Sequence, residues 1–412
     1  MEAADVDALE TPPRRGFKDF YQFLAPTRVI AGRDLIEGIG FEFAKEGAQR
    51  PLIVTDEVIH GTGLIDRVRA GVEDGGLEVA GVHDDVPPDS RSDVVARTAE
   101  VAREAGADSF LAVGGGSVMD TAKAANVVFT HGGEPRDWEG YFGLPRANDG
   151  MGRPAELAPL ACIPTTCGTG SEVSFASVIK DAEEHIKYQV ADFPMFPRLA
   201  VLDPAATATL PPAIAAATGM DAMTHAIEGH VSSEWNPHGS AYALMALRLI
   251  RDNLERAVSE PGDEDARGNM LIAANLAIQP TASGAIGATH SMSHPCGALF
   301  GVPHGVANAI NLPWMIEFNA AGGAGIADRY RDVNEVLGLE VGGSDDVIGH
   351  ALADHVRGLV SGLGLPRRLS EVGVPEAGIP ELVEGAMGDG CTLVNPREPT
   401  AEDFEALYRK AL

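Results

Sequence analysis

The first half of the chain alternates short apolar runs with helical patterns, and this alternation restricts the possible folds more than any other feature. Repeated strand–helix–strand units form mostly parallel sheets that helices cover on both faces. We therefore predict an α/β domain with a mostly parallel sheet over residues 17–204. Its predicted strands are residues 51–56, 78–86, 109–113, 160–163 and 199–202, and its first predicted helices are residues 64–75 and 92–105.

Beyond residue 204 the pattern changes to a series of helical stretches without a convincing alternating strand. This change predicts an all-helical domain over residues 205–412. Residues 1–16 are acidic, contain Pro12-Pro13 and lack an apolar segment, so we predict a disordered lead-in and not a signal peptide. The clearest helical stretches are residues 213–230, 239–259, 264–279 and 404–412.

The acidic composition argues against several classes of partner. A net charge of −29 opposes binding to nucleic acid or to an anionic membrane, because both require a basic protein surface. No uninterrupted apolar run reaches the length of a transmembrane helix. The four cysteines are scattered and form no close pair, which indicates reduced thiols and a cytoplasmic location.

Two helical segments of the second half carry a pattern typical of a metal site. Asp221 and His225 are separated by one helical turn, as are His290 and His294, and His304 follows. In a helix each pair projects from one face. Because both segments are otherwise apolar, these polar groups need a partner, and imidazole with one carboxylate suits iron, zinc or nickel. The spacing alone does not decide which of the five residues are ligands.

A glycine-rich turn follows the third predicted strand. Gly114, Gly115 and Gly116 precede Ser117 and a predicted helix, so the backbone and the helix start could approach a pyrophosphate; a plain tight turn is the alternative. A G-x-G-x-x-G fingerprint occurs nowhere in the chain. Asp56 ends its strand and could accept the ribose hydroxyls of NAD while repelling the 2′-phosphate of NADP; a solvated strand-end carboxylate is the alternative.

Together these motifs resemble the iron-containing (group III) alcohol dehydrogenase family, which includes lactaldehyde reductases and butanol dehydrogenases. The resemblance extends from about residue 23 to the C-terminus and implies an N-terminal dinucleotide-binding domain, a C-terminal helical domain and an active site in the cleft between them. It rests on Gly114-Gly115-Gly116-Ser117 with Asp120, Pro164-Thr165-Thr166, Gly168-Thr169-Gly170-Ser171-Glu172, Leu202-Asp203-Pro204, the segment from Gly219 to Glu228, the cluster of His290, His294 and Pro303-His304-Gly305, and Asn395-Pro396-Arg397.

The resemblance also implies a role for individual residues. His294 matches a family histidine near the nicotinamide and the substrate, where it could pass a proton. Glu228 lies on nearly the same helix face as Asp221, and we predict that it accepts a hydrogen bond from a ligand imidazole. The metal ligands, for Fe²⁺ or alternatively Zn²⁺, would be Asp221, His225, His290 and His304. The residues that match contacts to NAD(H) are Asp56, Gly114, Gly115, Gly116, Ser117, Asp120, Thr165, Thr166, Thr169, Ser174 and Lys187.

The predicted function is a cytoplasmic, homodimeric, metal-dependent alcohol dehydrogenase or aldehyde reductase that transfers a hydride between NAD(H) and a small primary alcohol or aldehyde. A hydroxyacid-oxoacid transhydrogenase or a maleylacetate-type reductase on the same scaffold is the alternative. A lyase that resembles dehydroquinate synthase and a non-enzymatic binding role fit less well. Cys167 stands where family members commonly carry a small residue such as Ala or Ser, and the family commonly has small polar or apolar residues around Phe175-Ala176. With Phe175, Ala176 and Gln189 in this chain, the resemblance does not fix the polarity of the alcohol pocket.

Overall fold

A computed structural model describes residues 20–145, 155–181, 186–283 and 286–412. The predicted lead-in, residues 1–16, lies outside these ranges. The described strands are β1 (Arg28–Ala31), β2 (Pro51–Val54), β3 (Gly81–His83), β4 (Ser109–Gly114), β5 (Gly140–Tyr141), β6 (Leu160–Pro164), β7 (Ala176–Asp181), β8 (Ile186–Ala191) and β9 (Leu199–Leu202).

The described helices are α1 (Ile39–Ala44), α2 (Glu57–His60), α3 (Leu64–Asp74), α4 (Ser92–Glu104), α5 (Gly116–His131), α6 (Pro212–Val231), α7 (Pro237–Ser259), α8 (Glu264–Ile278), α9 (Ala288–Phe300), α10 (His304–Ala320), α11 (Ala324–Leu337), α12 (Asp345–Gly362), α13 (Ile379–Gly388) and α14 (Ala401–Ala411). Most predicted elements agree with these bounds within a few residues. The strand predicted over residues 78–86 is shorter, because only Gly81–His83 pairs with β2.

Six parallel strands form the large sheet, in the order β1-β9-β6-β4-β2-β3. Alternate residues of its central strands enter two cores, as the period of a strand requires. Ile53 and Leu111 pack with α1 and α3, whereas Leu52 and Phe110 pack with α4 and α5. Both faces are therefore covered, which explains why these strands read as continuous apolar runs. The carboxyl ends of β2, β4 and β6 lie side by side at one edge.

A second sheet of three strands, in the order β5-β8-β7, was not predicted from the sequence. In β8, Tyr188 and Val190 pack into a core with α5, while Lys187 and Gln189 lie on the other, half-exposed face. Strand β8 also contacts α9 in the helical region. This sheet therefore joins the two parts of the chain beside the histidine-rich helices.

All regular elements described after Leu202 are helical. Helix α6 lies at the centre of this region and contacts α7, α8 and α10. It begins at Pro212, where proline suits a helix start, and from Gly219 to Val231 every residue is buried. The predicted fold class, an α/β region followed by an all-helical region, is confirmed. None of the described helices is long and apolar enough to span a membrane.

Candidate metal and dinucleotide site

Helix α6 presents Asp221 and His225 on one face, one turn apart, and both side chains are almost fully buried. The first turn of α10 approaches α6 closely: a Cβ atom on Gly305 would lie 2.2 Å from the carbonyl oxygen of Ala217. Real side chains never make so short a contact, so Gly305 is what allows the neighbouring His304 to reach α6.

The four predicted ligands meet around one carboxylate oxygen. Asp221 Oδ1 lies 3.9 Å from His225 Nε2, 3.7 Å from His290 Nε2 and 3.5 Å from His304 Nε2. Two ligands about 2.1 Å from an ion with tetrahedral geometry are roughly 3.4 Å apart. The donor atoms of Asp221, His290 and His304, which all lie within 4.8 Å of one another, therefore need to move little to bind a divalent transition metal, and His225 lies slightly farther from Asp221.

The charges of this cluster also suit a cation. Burial opposes ionisation of Asp221, but the surrounding imidazoles outweigh it and hold the pKa of Asp221 well below its usual range. Burial lowers the pKa of His225 to about 4, so its imidazole is neutral at neutral pH. His225 Nδ1 is buried and has no hydrogen-bond partner among the described residues. A neutral imidazole beside an ionised carboxylate is the form that binds metals.

Glu228 makes the contact predicted for it. Its Oε2 accepts a hydrogen bond from His290 Nδ1 at 2.5 Å and another from the backbone N–H of Gly287 at 3.0 Å. Its Oε1 accepts from the N–H of Thr289 at 2.6 Å. Burial would lower the pKa of His290, but the charges of Glu228 and Asp221 raise it to about 9. Glu228 thus fixes the ring of His290 with Nε2 directed at Asp221.

A second polar group lies beside the first. His294 Nδ1 donates to Asp389 Oδ2 at 2.6 Å, and Asp389 Oδ1 accepts from the backbone N–H of Cys391 at 2.8 Å. Burial raises the pKa of the Cys391 thiol well above its usual value, so it stays protonated. A His–Asp hydrogen-bonded pair therefore describes this group better than a second metal site does. Sequence reasoning missed Asp389; its position shortly before Asn395-Pro396-Arg397 was the available signal.

The site opens to solvent on one side. The side chain of His304 is 37% exposed, whereas those of Asp221 and His290 are 3% and 2% exposed. The rings of His294 and His304 are stacked, with centroids 5.4 Å apart and an interplanar angle of 17°. A small molecule that enters beside His304 therefore meets His294 as well.

The predicted dinucleotide residues gather at the carboxyl edge of the large sheet. Gly116 begins α5, and a Cβ atom there would lie 2.8 Å from Thr169 Cγ2, so only glycine lets the turn after β4 pack on the loop after β6. In that loop the hydroxyl of Thr166 is buried without a partner among the described residues, and the backbone N–H of Thr165 donates to Gly114 O. Free N–H groups at a helix start and an unpaired hydroxyl suit a pyrophosphate.

Three other predicted cofactor residues, Asp56, Ser117 and Lys187, already have protein partners. Asp56 caps α2 through Oδ1, which accepts from the N–H of Ile59. Ser117 Oγ accepts from the N–H of Asp89, and Lys187 Nζ pairs with Asp89 Oδ1 at 2.9 Å, so Lys187 and Ser117 lie at the same edge.

Asp120 and Ser174 serve the packing of the small sheet. The carboxylate of Asp120 accepts from Ser171 Oγ and from the N–H of Val178, and the buried amine of Lys123 pairs with both Asp120 and Ser174. Asp120 and Ser174 therefore belong to this network, and their contacts to the cofactor stay predictions.

Known proteins resemble the chain over nearly its whole length. Residues 26–204 match the family described as iron-containing alcohol dehydrogenase, and residues 215–412 match the C-terminal region of the Fe-containing alcohol dehydrogenase family. The lactaldehyde reductase of Escherichia coli K12 is 36% identical over 92% of this chain and 96% of its own length. The NAD-dependent methanol dehydrogenase of Bacillus methanolicus is 33% identical over 95% of this chain and 99% of its own length. A crystal structure of a 1,3-propanediol oxidoreductase superposes with a TM-score of 0.89 at 31% identity, over 95% of this chain and 100% of its own.

The chain belongs to the iron-containing alcohol dehydrogenase family. The activity predicted from the sequence, that of an iron-type alcohol dehydrogenase or aldehyde reductase, is confirmed, and the family description supports iron as the metal. The predicted NAD(H) agrees with the NAD-dependent methanol dehydrogenase among the relatives. The transhydrogenase and maleylacetate-type alternatives are not favoured by these relatives.

Proposed function

We propose that this protein interconverts small primary alcohols and aldehydes with NAD(H), with Asp221, His225, His290 and His304 as the ligands of its divalent metal. The convergence of three imidazole nitrogens on Asp221 Oδ1 at 3.5 to 3.9 Å is the observation that carries this proposal.

The chain's own residues would hold the reactants and move the proton. A metal held by Asp221, His225, His290 and His304 would lower the pKa of an alcohol hydroxyl, and a bound nicotinamide would supply or accept the hydride. His294 would exchange the alcohol proton through Nε2, because Nδ1 is held by Asp389. Burial raises the pKa of Asp389, but the charge of His294 outweighs it and keeps this carboxyl ionised at neutral pH.

The dinucleotide would lie along the carboxyl edge of β2, β4 and β6. The glycine turn, Ser117, Thr165, Thr166 and Thr169 are at that edge, and α5 directs its first N–H groups there. We propose that the oxygen of Asp56 not used to cap α2 accepts the ribose hydroxyls and disfavours NADP. Lys187 would exchange its partner Asp89 for the cofactor.

Anaerobic purification followed by metal analysis tests this function directly. We expect about one iron or zinc per chain and NADH oxidation that depends on added aldehyde and on the metal. A panel of small aldehydes and 2-oxoacids separates the candidate reactions. Turnover of a 2-oxoacid with no turnover of any aldehyde would favour the transhydrogenase or reductase alternatives, and full activity without metal would overturn the proposal.

Two further proposals concern the oligomeric state and the cellular location of the protein. We propose a homodimer that pairs through β1, because this strand is at the edge of the large sheet and Val29 on it is 39% exposed. We also propose a cytoplasmic location, since all four cysteines are free thiols. The molecular mass in solution would test the first of these, since a monomer would contradict it.

The polarity of the alcohol pocket has a structural basis in the small sheet. Lys187 and Gln189 lie on the same face of β8, and Lys187 Nζ is 3.7 Å from the position of a Cβ on Gly297 in α9. Since α9 also carries His294, we propose that Gln189 lines the pocket beside it. The hydroxyl of Tyr141 donates to Gln189 Oε1, and no described residue accepts from Gln189 Nε2. Partial burial, with the charge of Asp389, raises the pKa of Tyr141 to about 12.

Replacing Gln189 with leucine should therefore change substrate preference. A free amide N–H can donate to a second oxygen of the substrate, so we expect Gln189→Leu to lower kcat/KM for a hydroxyaldehyde about tenfold relative to the unsubstituted aldehyde of equal length. Steady-state kinetics with hydroxyaldehydes and alkanals of two to four carbons would measure this ratio. Tyr141→Phe is the matched variant and should lower the ratio of the two kcat/KM values by a smaller factor. An unchanged ratio in both variants would show that Gln189 and Tyr141 do not line the pocket.

A further inference from the structure

Asn308 has unusual contacts inside the candidate metal cluster. It follows His304 by one turn of α10, and its side chain is completely buried. Its Nδ2 lies 2.8 Å from Asp221 Oδ1, 3.2 Å from His304 Nε2 and 3.3 Å from His290 Nε2. The amide nitrogen thus caps the triangle formed by three of the proposed donor atoms.

The nitrogen and the oxygen of the Asn308 amide differ in their hydrogen bonding. The NH₂ group donates to Asp221 Oδ1 and also faces Nε2 of the neutral His304 ring, whereas Asn308 Oδ1 is buried without a hydrogen-bond partner among the described residues. The carboxylate of Asp221 requires a donor, which fixes the amide with its nitrogen towards the cluster. The metal cluster, rather than the surrounding core, therefore determines the orientation of Asn308.

We propose that Asn308 is a positioning residue that keeps Asp221 and the imidazoles converged when no metal is bound; this inference rests on the metal role proposed above. Its partly positive NH₂ group attracts the lone pairs that a cation would otherwise attract. A carboxylate oxygen has two lone pairs, so the hydrogen bond to Asp221 Oδ1 can persist once the metal occupies the other. The donor atoms of Asp221 and the imidazoles are then already close together before the metal binds.

Metal affinity is the property that this role controls. Partners of metal ligands typically change affinity 10- to 100-fold when they are removed. We therefore expect Asn308→Leu to raise the dissociation constants of Zn²⁺ and Co²⁺ by about 10- to 100-fold.

Asn311 provides a matched control on the same helix. It is also completely buried, its Oδ1 also lacks a described partner, and its Nδ2 donates to Ser293 Oγ at 3.2 Å, not to a proposed ligand. Asn311→Leu should therefore change stability without changing metal affinity more than about threefold. Equal losses of affinity in the two variants, or none in Asn308→Leu, would overturn the inference.

Asn308→Asp tests the same idea without loss of volume. A carboxylate cannot donate to Asp221 and would repel it, so we expect the metal-free variant to melt at a lower temperature and to recover more than the unmodified protein when Zn²⁺ is added. An unchanged Tm in the metal-free variant would contradict the inference. If the unmodified protein itself binds no Zn²⁺ or Co²⁺, the proposed metal site fails together with the inference. If the unmodified protein binds these metals and the Asn308 variants bind them equally tightly, the inference alone fails.

Discussion

Asp221→Asn is expected to abolish stable metal binding and to lower kcat/KM for aldehyde reduction by at least about 1,000-fold. Its Oδ1 is the one atom that all three imidazoles approach, at 3.5 to 3.9 Å. The amide keeps the size of the side chain but removes the negative charge, so the effect isolates electrostatics and coordination. Metal catalysis supplies several kcal/mol of stabilisation, and about 4 kcal/mol corresponds to a thousandfold change in rate. Metal analysis and steady-state kinetics would measure both effects.

Asp332→Asn provides the control for this experiment. Asp332 Oδ2 lies 3.5 Å from Nε2 of His230, another buried histidine of α6, so the variant also alters a His–Asp contact of that helix. Metal content and activity should stay within about threefold of the unmodified protein, because His230 is not among the proposed ligands. If Asp221→Asn retains one metal per chain with normal kinetics, the proposed ligand set is wrong.

The pH dependence of metal binding gives a second measurement of the same site. In the metal-free protein the charge of Glu228 helps raise the pKa of His290 to about 9, so His290 carries an extra proton at neutral pH. A metal must displace that proton, and we expect affinity to rise with pH until it levels off above about pH 9. Titrations in buffers of different ionisation enthalpy would count the released protons. The opposite trend, affinity that falls between pH 7 and 9, would contradict this assignment.

The sequence predicts the parts of this site that depend on spacing within one helix. Asp221 and His225 share a face of α6 because they are one turn apart, and Glu228 was correctly expected to contact an imidazole for the same reason. The way that two helices pack against each other depends on close backbone contacts, such as that between Gly305 and Ala217. Such a contact leaves no periodic signal, so only the family resemblance indicated that α9 and α10 would meet α6.

Features built from short or distant segments were not predictable in this way. Strand β5 has only two residues, and the polar residues of β7 and β8 interrupt the continuous apolar run that marks the buried strands of the large sheet. Asp389 is 95 positions from His294 and precedes a short 3₁₀ turn, so no helical or strand period connects the two. Asn308 is one turn after His304, but an asparagine in an apolar helix does not by itself indicate a metal site.

Asp389→Asn is expected to lower kcat about 100-fold while metal content stays at the level of the unmodified protein. Asp389 Oδ2 accepts from His294 Nδ1, which leaves Nε2 of that ring to exchange a proton with the substrate. An asparagine in its place can donate to Nδ1 and so favour the tautomer with Nε2 already protonated. General acid–base catalysis contributes about 10²- to 10⁴-fold, and the loss of orientation removes much of it. Because Asp389 is not a proposed metal ligand, the effect should fall on kcat and leave cofactor binding unchanged.

His294→Gln and Cys391→Ser complete this test. His294→Gln removes the proposed proton-transfer group itself, so combining it with Asp389→Asn should cost little more than His294→Gln alone, as expected for two residues that act as a unit. Cys391→Ser keeps the backbone N–H that Asp389 accepts at 2.8 Å, and its kcat should remain within about threefold. Additive losses in the double variant, or a loss of metal in Asp389→Asn, would show that Asp389 acts on the metal cluster and not through His294.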